Sequence, residues 1–292
     1  MKKKYIIISP VRNEEKYIEA TIKSVLNQTI LPDTYVIVDD GSTDRTKEII
    51  EKYIKKYSFI KYVHKKNRGF RKVGGGVVEA FYHGFNTLET DYDYICKMDG
   101  DLTIGPLYFQ TLLEKFHKDP KLGSASGKLF LDVDGKSVEE RITDESVLGG
   151  VLCLRKRCFQ KIKGFVNEVM WDGIAFHRCR MEGYRTRSFR DEELKITDHR
   201  LMGSSDKSIY HGRIRWGWGQ YFMGTHPLYL LALSIYRMFE RPFLTGGLMI
   251  VTGYLKGLLK DDTRYNYPGF RKSLRSWQLE RLKLGRRLES ID

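Results

Sequence analysis

The chain has 292 residues, 51 Lys and Arg against 37 Asp and Glu, a formal net charge of +14, and 41% apolar residues. That balance excludes a disordered or fibrous chain and allows one large domain or two smaller ones. Its four cysteines are too few and too scattered for a disulfide scaffold and form no Cys-x-x-Cys pair, which points to a reducing, cytoplasmic location.

After Met1-Lys2-Lys3-Lys4 only about four apolar residues precede Pro10, too few for the apolar region of a signal peptide. Residues 5–9 read as a buried strand. Ile18, Ile22, Val25 and Leu26 recur at helical spacing, so a helix is predicted to about Gln28. A second strand over residues 34–38 ends in Asp39-Asp40-Gly41-Ser42, and Ser42 or Asp44 can cap the next helix, which carries Ile49, Ile50, Tyr53 and Ile54. A strand near Ile60–Val63, a glycine-rich turn, a helix from about Val77 and a strand from Tyr92 to Met98 follow. Beyond residue 105 the pattern predicts a helix over Leu107–Phe116, one strand over Leu122–Leu131 and an apolar run over Val147–Leu154. Helices near Arg157–Ile162 and Ile174–Gly183, and a strand over Leu194–Thr197, come next. Strands alternating with helices imply an α/β fold with a mostly parallel central sheet and helices on both faces.

In such sheets ligands bind beyond the carboxyl ends of the strands. Three polar segments lie there: Pro10–Glu15, Asp39–Ser42 and Asp99–Asp101. Asp99-Gly100-Asp101 can turn two carboxylates toward one hard divalent cation, although Asp-Gly-Asp is also an ordinary loop sequence. Asp39-Asp40 can accept hydrogen bonds from a base or ribose, or serve only as turn residues before a helix. Acidic residues in Asn13-Glu14-Glu15 also suit the first turn of a helix. Asn67 to Gly76 combines Arg68, Arg71 and Lys72 with four glycines, a composition suited to phosphate but matching no complete phosphate-loop fingerprint. Asp172, beside Trp171, is either a base with a raised pKa or a helix cap. Asp198-His199, at a strand end, is a further metal candidate.

Taken together, Ser9-Pro10-Val11-Arg12-Asn13-Glu14-Glu15, Val38 to Asp44, Met98-Asp99-Gly100-Asp101 and Gly164-Phe165 with Trp171-Asp172 resemble the family-2 glycosyltransferases of the GT-A fold. The resemblance runs from about residue 4 to residue 200 and implies an inverting transferase that uses a nucleotide-diphosphate sugar and a divalent metal, Mn or Mg. By position it implies nucleotide-sugar contacts at Pro10, Arg12, Glu14, Asp40, Arg71 and Asp99, with Asp40 reading the base. It implies metal ligation by Asp101 and Asp99, with His199 as a third ligand, and a general base at Asp172. The family more often has Glu-Asp where this chain has Trp171-Asp172, and its usual Ala-Arg-Asn segment is replaced by Val73 to Val77.

The expected catalytic domain is 1–215, with a nucleotide-sugar half to about residue 105 and an acceptor half after it; residues 216–292 form a helical extension. Two uncharged runs there, Trp216–Tyr236 and Pro242–Leu255, fall short of the roughly 20 apolar residues of a membrane span. They read as buried helices or as an interfacial hairpin edged by Trp216, Trp218, Tyr221, Phe222, Tyr229, Tyr236 and Phe239. The tail from Lys256 to Asp292 has ten Lys and Arg against five Asp and Glu, with Phe270, Leu274, Trp277 and Leu288 at helical spacing. Expected partners are the donor, a glycan or lipid-linked acceptor and an anionic membrane surface at the inner face of the cell membrane, with no nucleic acid. A sugar-phosphate nucleotidyltransferase would carry a glycine-rich loop after the first strand, where this chain has the glycine-free Pro10–Glu15. A basic nucleic-acid-binding protein would not gather carboxylates at strand ends.

Overall fold

Tyr5, Ile6, Ile7 and Ile8 are all fully buried, so strand β1 (Tyr5–Val11) is covered on both faces, as a central parallel strand must be. The computed structural model describes residues 3–70, 72–133, 136–140, 142–200 and 208–284. After β1 come α1 (Ile18–Leu26), β2 (Thr34–Asp39), α2 (Thr46–Ile54), β3 (Ile60–His64), α3 (Gly75–Phe85) and β4 (Tyr94–Met98). The second half contains β5 (Leu102–Ile104), α4 (Tyr108–Lys118), β6 (Leu122–Gly127), β7 (Leu129–Val133), β8 (Lys136–Glu139), β9 (Val151–Arg155), α5 (Lys156–Lys161), α6 (Trp171–Met181), β10 (Arg185–Phe189) and β11 (Ile196–Asp198).

The main sheet runs β10-β6-β9-β4-β1-β2-β3. β9 lies antiparallel between β4 and β6, and the other neighbours pair in parallel. Alternation along β1 divides the core. Tyr5, Ile7 and Val11 join Ile22 of α1, Ile50 of α2 and Phe109 of α4 on one face. Ile6 and Ile8 join Phe81 of α3, Phe159 of α5 and Ala175 of α6 on the other. Parallel register aligns Val11 with Asp39, so the chain leaves β1 and β2 side by side at the same sheet edge.

The single strand expected over Leu122–Leu131 is two, in different sheets. β6 belongs to the main sheet, while β7 joins β5, β11 and β8 in a small one. The break falls at Gly127, where a Cβ would lie only 1.5 Å from the Leu194 carbonyl oxygen. Next to it Lys128 is buried and paired with Asp144 at 2.8 Å. The register of β11 sets Asp198 opposite Leu102, which brings residues 198 and 199 back to the Asp-Gly-Asp turn. β10 escaped the sequence reading because the alternation in Arg-Thr-Arg-Ser-Phe buries small polar residues, Thr186 and Ser188.

Four helices complete the chain: α7 (Ile209–Met223), α8 (Pro227–Met238), α9 (Thr245–Leu259) and α10 (Phe270–Leu284). The division expected near residue 215 falls inside α7. Phe222 and Met223 of α7, Phe270 and Leu274 of α10 and Ile174 of α6 form one core, so the extension packs on the α/β part. α7 and α9 approach closely through glycines: a Cβ at Gly253 would lie 1.9 Å from the Ile214 carbonyl oxygen. Among the described residues no helix is long and apolar enough to cross a membrane. Leu288 lies outside the described residues.

Candidate active site

The three strand ends meet. Pro10, Arg12 and Glu14 after β1, Asp40 after β2, and Asp99, Gly100 and Asp101 after β4 line one cleft of about 150 Å3, closed on the far side by Lys72 and the start of α3. Local structure explains the Asp-Gly-Asp turn. A Cβ at Gly100 would fall 2.6 Å from Val11 Cγ1, and the Gly100 carbonyl accepts from Thr21 Oγ1 at 2.9 Å. A side chain at residue 100 would therefore push the turn away from β1. Asp39 and Asp40 separate into two roles. Asp39 is buried and accepts from the Ser42 amide at 2.7 Å and from the Tyr62 hydroxyl at 2.8 Å, so it shapes the turn. Asp40 faces the cleft. The helix-starting role falls to Asp44, whose carboxylate accepts from the Thr46 amide at 3.0 Å; Ser42 Oγ instead accepts from the Asn13 amide.

Asp40 is held by cations. Arg68 Nη2 donates to both its oxygens at 2.5 and 2.7 Å, and Lys65 Nζ lies 2.9 Å away. Arg68 Nη1 also bonds Glu79 of α3 at 2.9 Å, and Lys72 bonds Glu79 at 2.5 Å. The Lys72 contact is the main reason the Glu79 carboxyl is pulled down to about 2. Arg68 and Lys72 thus spend their charge on two carboxylates, and Arg12 reaches across to the Asp40 carbonyl at 2.5 Å. Arg71 lies outside the described residues.

Around Asp99 and Asp101 the contacts come from elements the sequence did not single out. Lys97, buried inside β4, bonds Asp99 Oδ1 and donates to the Gly149 carbonyl at 2.6 Å. Arg200 bonds Glu14 at 2.5 Å and stands 3.6 Å from Asp101. Asp198 has its carboxyl pushed up to about 7, first by burial, then by the charges of Asp101 and Asp99. Asp99 and Asp101 at the turn, with Asp198 close enough to feel their charge, supply the oxygen donors that a hard divalent cation prefers. His199 is near by sequence but engaged elsewhere: its Nε2 is 3.0 Å from Thr103 Oγ1, and its ring stacks on Tyr17. Among the described residues no three His, Cys, Asp or Glu side chains converge at metal-binding distance.

Asp172 sits in the first turn of α6 but is not its cap residue: the cap position is Met170, in a left-handed conformation, and Asp172 Oδ1 accepts from the Gly173 amide at 2.8 Å. A Cβ at Gly149 would fall 2.9 Å from Asp172 Oδ2, and one at Gly150 3.7 Å from Asp99 Oδ2. The two carboxylates therefore flank one side-chain-free dipeptide. Lys97, whose ammonium also lies over the Trp171 ring, contributes positive charge to both. Burial nonetheless raises the Asp172 carboxyl above the ordinary carboxylate range, against the Gly173 amide and Lys97.

Lys97, Arg200, Lys65 and Glu79 were missed from sequence. A lysine inside the apolar strand Tyr-Ile-Cys-Lys-Met was the available signal for the first, because a buried cation needs a carboxylate partner. Arg200 and Lys65 carried no such sign.

Comparison with known proteins agrees with this geometry. Residues 6–137 match the Glycosyl transferase family 2 model. The poly-beta-1,6-N-acetyl-D-glucosamine synthase of Staphylococcus epidermidis is 32% identical over 196 residues, covering 63% of this chain and 42% of that protein. The probable glycosyltransferase YdaM of Bacillus subtilis is 33% identical over 127 residues, covering 43% and 29%. The chain spans less than half the length of either. The mannosyltransferase PcManGT from Pyrobaculum calidifontis, solved with GDP-Man and Mn2+, shares the fold at a TM-score of 0.60 and 14% identity, with 90% of this chain and 89% of that one covered. S. aureus TarS 1-349, solved with UDP-GlcNAc, gives a TM-score of 0.53 at 17% identity, covering 96% and 77%. Strand order, cleft and sequence match agree: residues 6–137 carry the Glycosyl transferase family 2 match, and the chain is built on the GT-A fold of its structural neighbours.

Proposed function

We propose that the chain transfers a sugar from a nucleotide-diphosphate sugar to an acceptor hydroxyl with inversion at the anomeric carbon. The observation that carries this reading is the cleft in which Pro10, Arg12, Glu14, Asp40, Asp99 and Asp101 meet, with Asp172 across Gly149-Gly150 from Asp99. Asp40, Arg12 and Glu14 bind the nucleotide, and Arg71 belongs to the same set by its place in the sequence. The donor's base enters by exchanging Asp40's contacts with Arg68 and Lys65, which frees those cations for the diphosphate. Asp101 and Asp99 would hold a divalent Mn or Mg ion, with His199 as the third candidate. When bound, such an ion supplies positive charge against the leaving diphosphate.

Asp172 takes the proton of the acceptor hydroxyl as its oxygen bonds to the anomeric carbon and the bond to the diphosphate breaks on the opposite face. Its raised pKa brings its basicity closer to what that proton transfer needs. The PcManGT and TarS ligands, GDP-Man and UDP-GlcNAc, are donors of this class, and the poly-beta-1,6-N-acetyl-D-glucosamine synthase relative supports a glycan acceptor, with a lipid-linked one as the alternative. The helical extension brings the enzyme to the inner face of the cell membrane as a peripheral protein, where the net charge of +14 favours anionic lipid. Screening UDP- and GDP-sugars with Mn2+ for donor hydrolysis and transfer tests the reading. Turnover of at least one donor supports it, and inertness toward every donor, with or without acceptor extracts, refutes it.

A further inference from the structure

The extension turns an apolar surface outward on α8 and α9. On α8, Leu228, Leu231, Ile235 and Phe239 are exposed at spacings of three and four residues, opposite the buried Leu230, Ser234 and Arg237. On α9, Leu244, Leu248, Leu255 and Leu259 repeat the pattern, opposite the buried Ile250, Gly253 and Gly257. The two stripes meet at the connecting turn, where Phe239 is 76%, Phe243 61% and Leu244 66% exposed. Exposed apolar surface of this continuity marks an interaction site.

Charge identifies the partner. From Gly217 to Leu255 the chain carries only Arg237, Glu240 and Arg241. Arg237 is buried and bonds Glu240 and Glu140, which takes both acids out of play. Arg241 stays exposed at the turn, and Lys256 and Lys260 are exposed at the far end, with Asp261 the one exposed acid beside them. An apolar stripe ended by cations matches one leaflet of an anionic bilayer: side chains enter the acyl boundary and the cations meet lipid phosphate. Two copies packed on this face would instead place like charges together. With 12 and 15 residues, the helices are about 18 and 22 Å long, short of a bilayer core of about 30 Å, so they lie in the interface.

We propose that the outer face of the α8–α9 hairpin, led by Phe239, Phe243 and Leu244, inserts into one leaflet of an anionic membrane. This rests on the membrane contact proposed above and assigns it to one surface. Of the aromatics that the sequence suggested for that role, Phe239 and Tyr236 are exposed, whereas Tyr221 and Phe222 are buried and Trp216 and Trp218 pack against the extension's cores. The basic helix α10 likewise lays Phe270, Leu274 and Trp277 against the protein.

The test is co-flotation of the full chain with phosphatidylcholine vesicles, with and without phosphatidylglycerol, for wild type and the double variant Phe239→Glu, Leu244→Glu. Wild type is expected to float with the anionic vesicles, and the variant to lose about tenfold or more of that partition. The variant's thermal midpoint and response to nucleotide sugars should not change. If wild type floats and the variant floats equally, the hairpin is the wrong surface while membrane contact stands. If wild type does not float, both fall and the transferase reading is untouched. Dimers in solution that the same substitutions dissociate, without vesicle binding, would make the face a self-association surface and overturn the proposal.

Discussion

Arg200 and Glu14 lie 186 residues apart in sequence, yet Nη2 of the first is 2.5 Å from Oε2 of the second at the floor of the cleft. The pair ties the end of β11 to the turn after β1, and the same guanidinium reaches Asp101. Glu14 is buried and its amide also donates to Thr46 Oγ1, so its position depends on both contacts. Removing Arg200 takes away the guanidinium that faces the buried Glu14 carboxylate, at a cost of about 3 kcal/mol. Arg200→Ala is therefore expected to lose about that much in urea unfolding, and Arg200→Ala with Glu14→Gln to lose less than the sum of the single changes. Strict additivity in that cycle would show that the two side chains are not coupled.

Asp172 separates chemistry from binding. Asp172→Asn is expected to lower transfer by about 10²- to 10⁴-fold while leaving donor binding in place. Near-wild-type turnover would remove Asp172 from the base role.

The same carboxyl gives a pH signature with a defined sign. Its pKa is raised in the folded state, so the folded protein holds the proton more tightly than the unfolded chain. That stability is present at low pH and lost as pH rises through the raised value. At neutral pH Asp172→Asn should therefore melt no lower than wild type, and the difference should shrink toward acid. Thermal scans across pH measure it, and a neutral-pH midpoint well below wild type would contradict the burial argument. As a base the group works ionised, so the transfer rate should climb with pH over the same range.

Gly127 is where one apolar run becomes two strands. A methyl group there meets the Leu194 carbonyl at 1.5 Å, backbone that can move only by displacing β11. Gly127→Ala is expected to destabilise by about 1–3 kcal/mol or more, read as a lower denaturation midpoint. A stability within error of wild type would mean that β6 and β7 can separate further at no cost.

The strand ends were legible because a strand covered on both faces reads as an uninterrupted apolar run, and the first polar residue after it marks the sheet's edge. Pro10, Asp40 and Asp99 were found that way, and the Asp-Gly-Asp spacing added Asp101. What the cations do was not legible. Arg68 and Lys72 look like phosphate ligands in sequence, and only the fold brings them against Asp40 and Glu79. Arg200 meets Glu14 through strand pairing that no local pattern announces. In the extension, Phe239 among the aromatics marks the exposed face, but Tyr221 and Phe222 are core side chains, and most of that face is leucines at helical spacing.

The account depends most on the cleft binding a nucleotide-diphosphate sugar through its carboxylates and a divalent ion. Calorimetric titration of UDP- and GDP-sugars into wild type and Asp101→Ala, with Mn2+ and with chelator, tests this directly. For at least one donor, wild type should bind with Mn2+ and lose most of that affinity in chelator, and a donor at 100 times its dissociation constant should add about 2.7 kcal/mol of stability. Asp101→Ala should show no metal-dependent gain. Equal affinity for that donor in wild type and Asp101→Ala, with and without metal, would contradict the account.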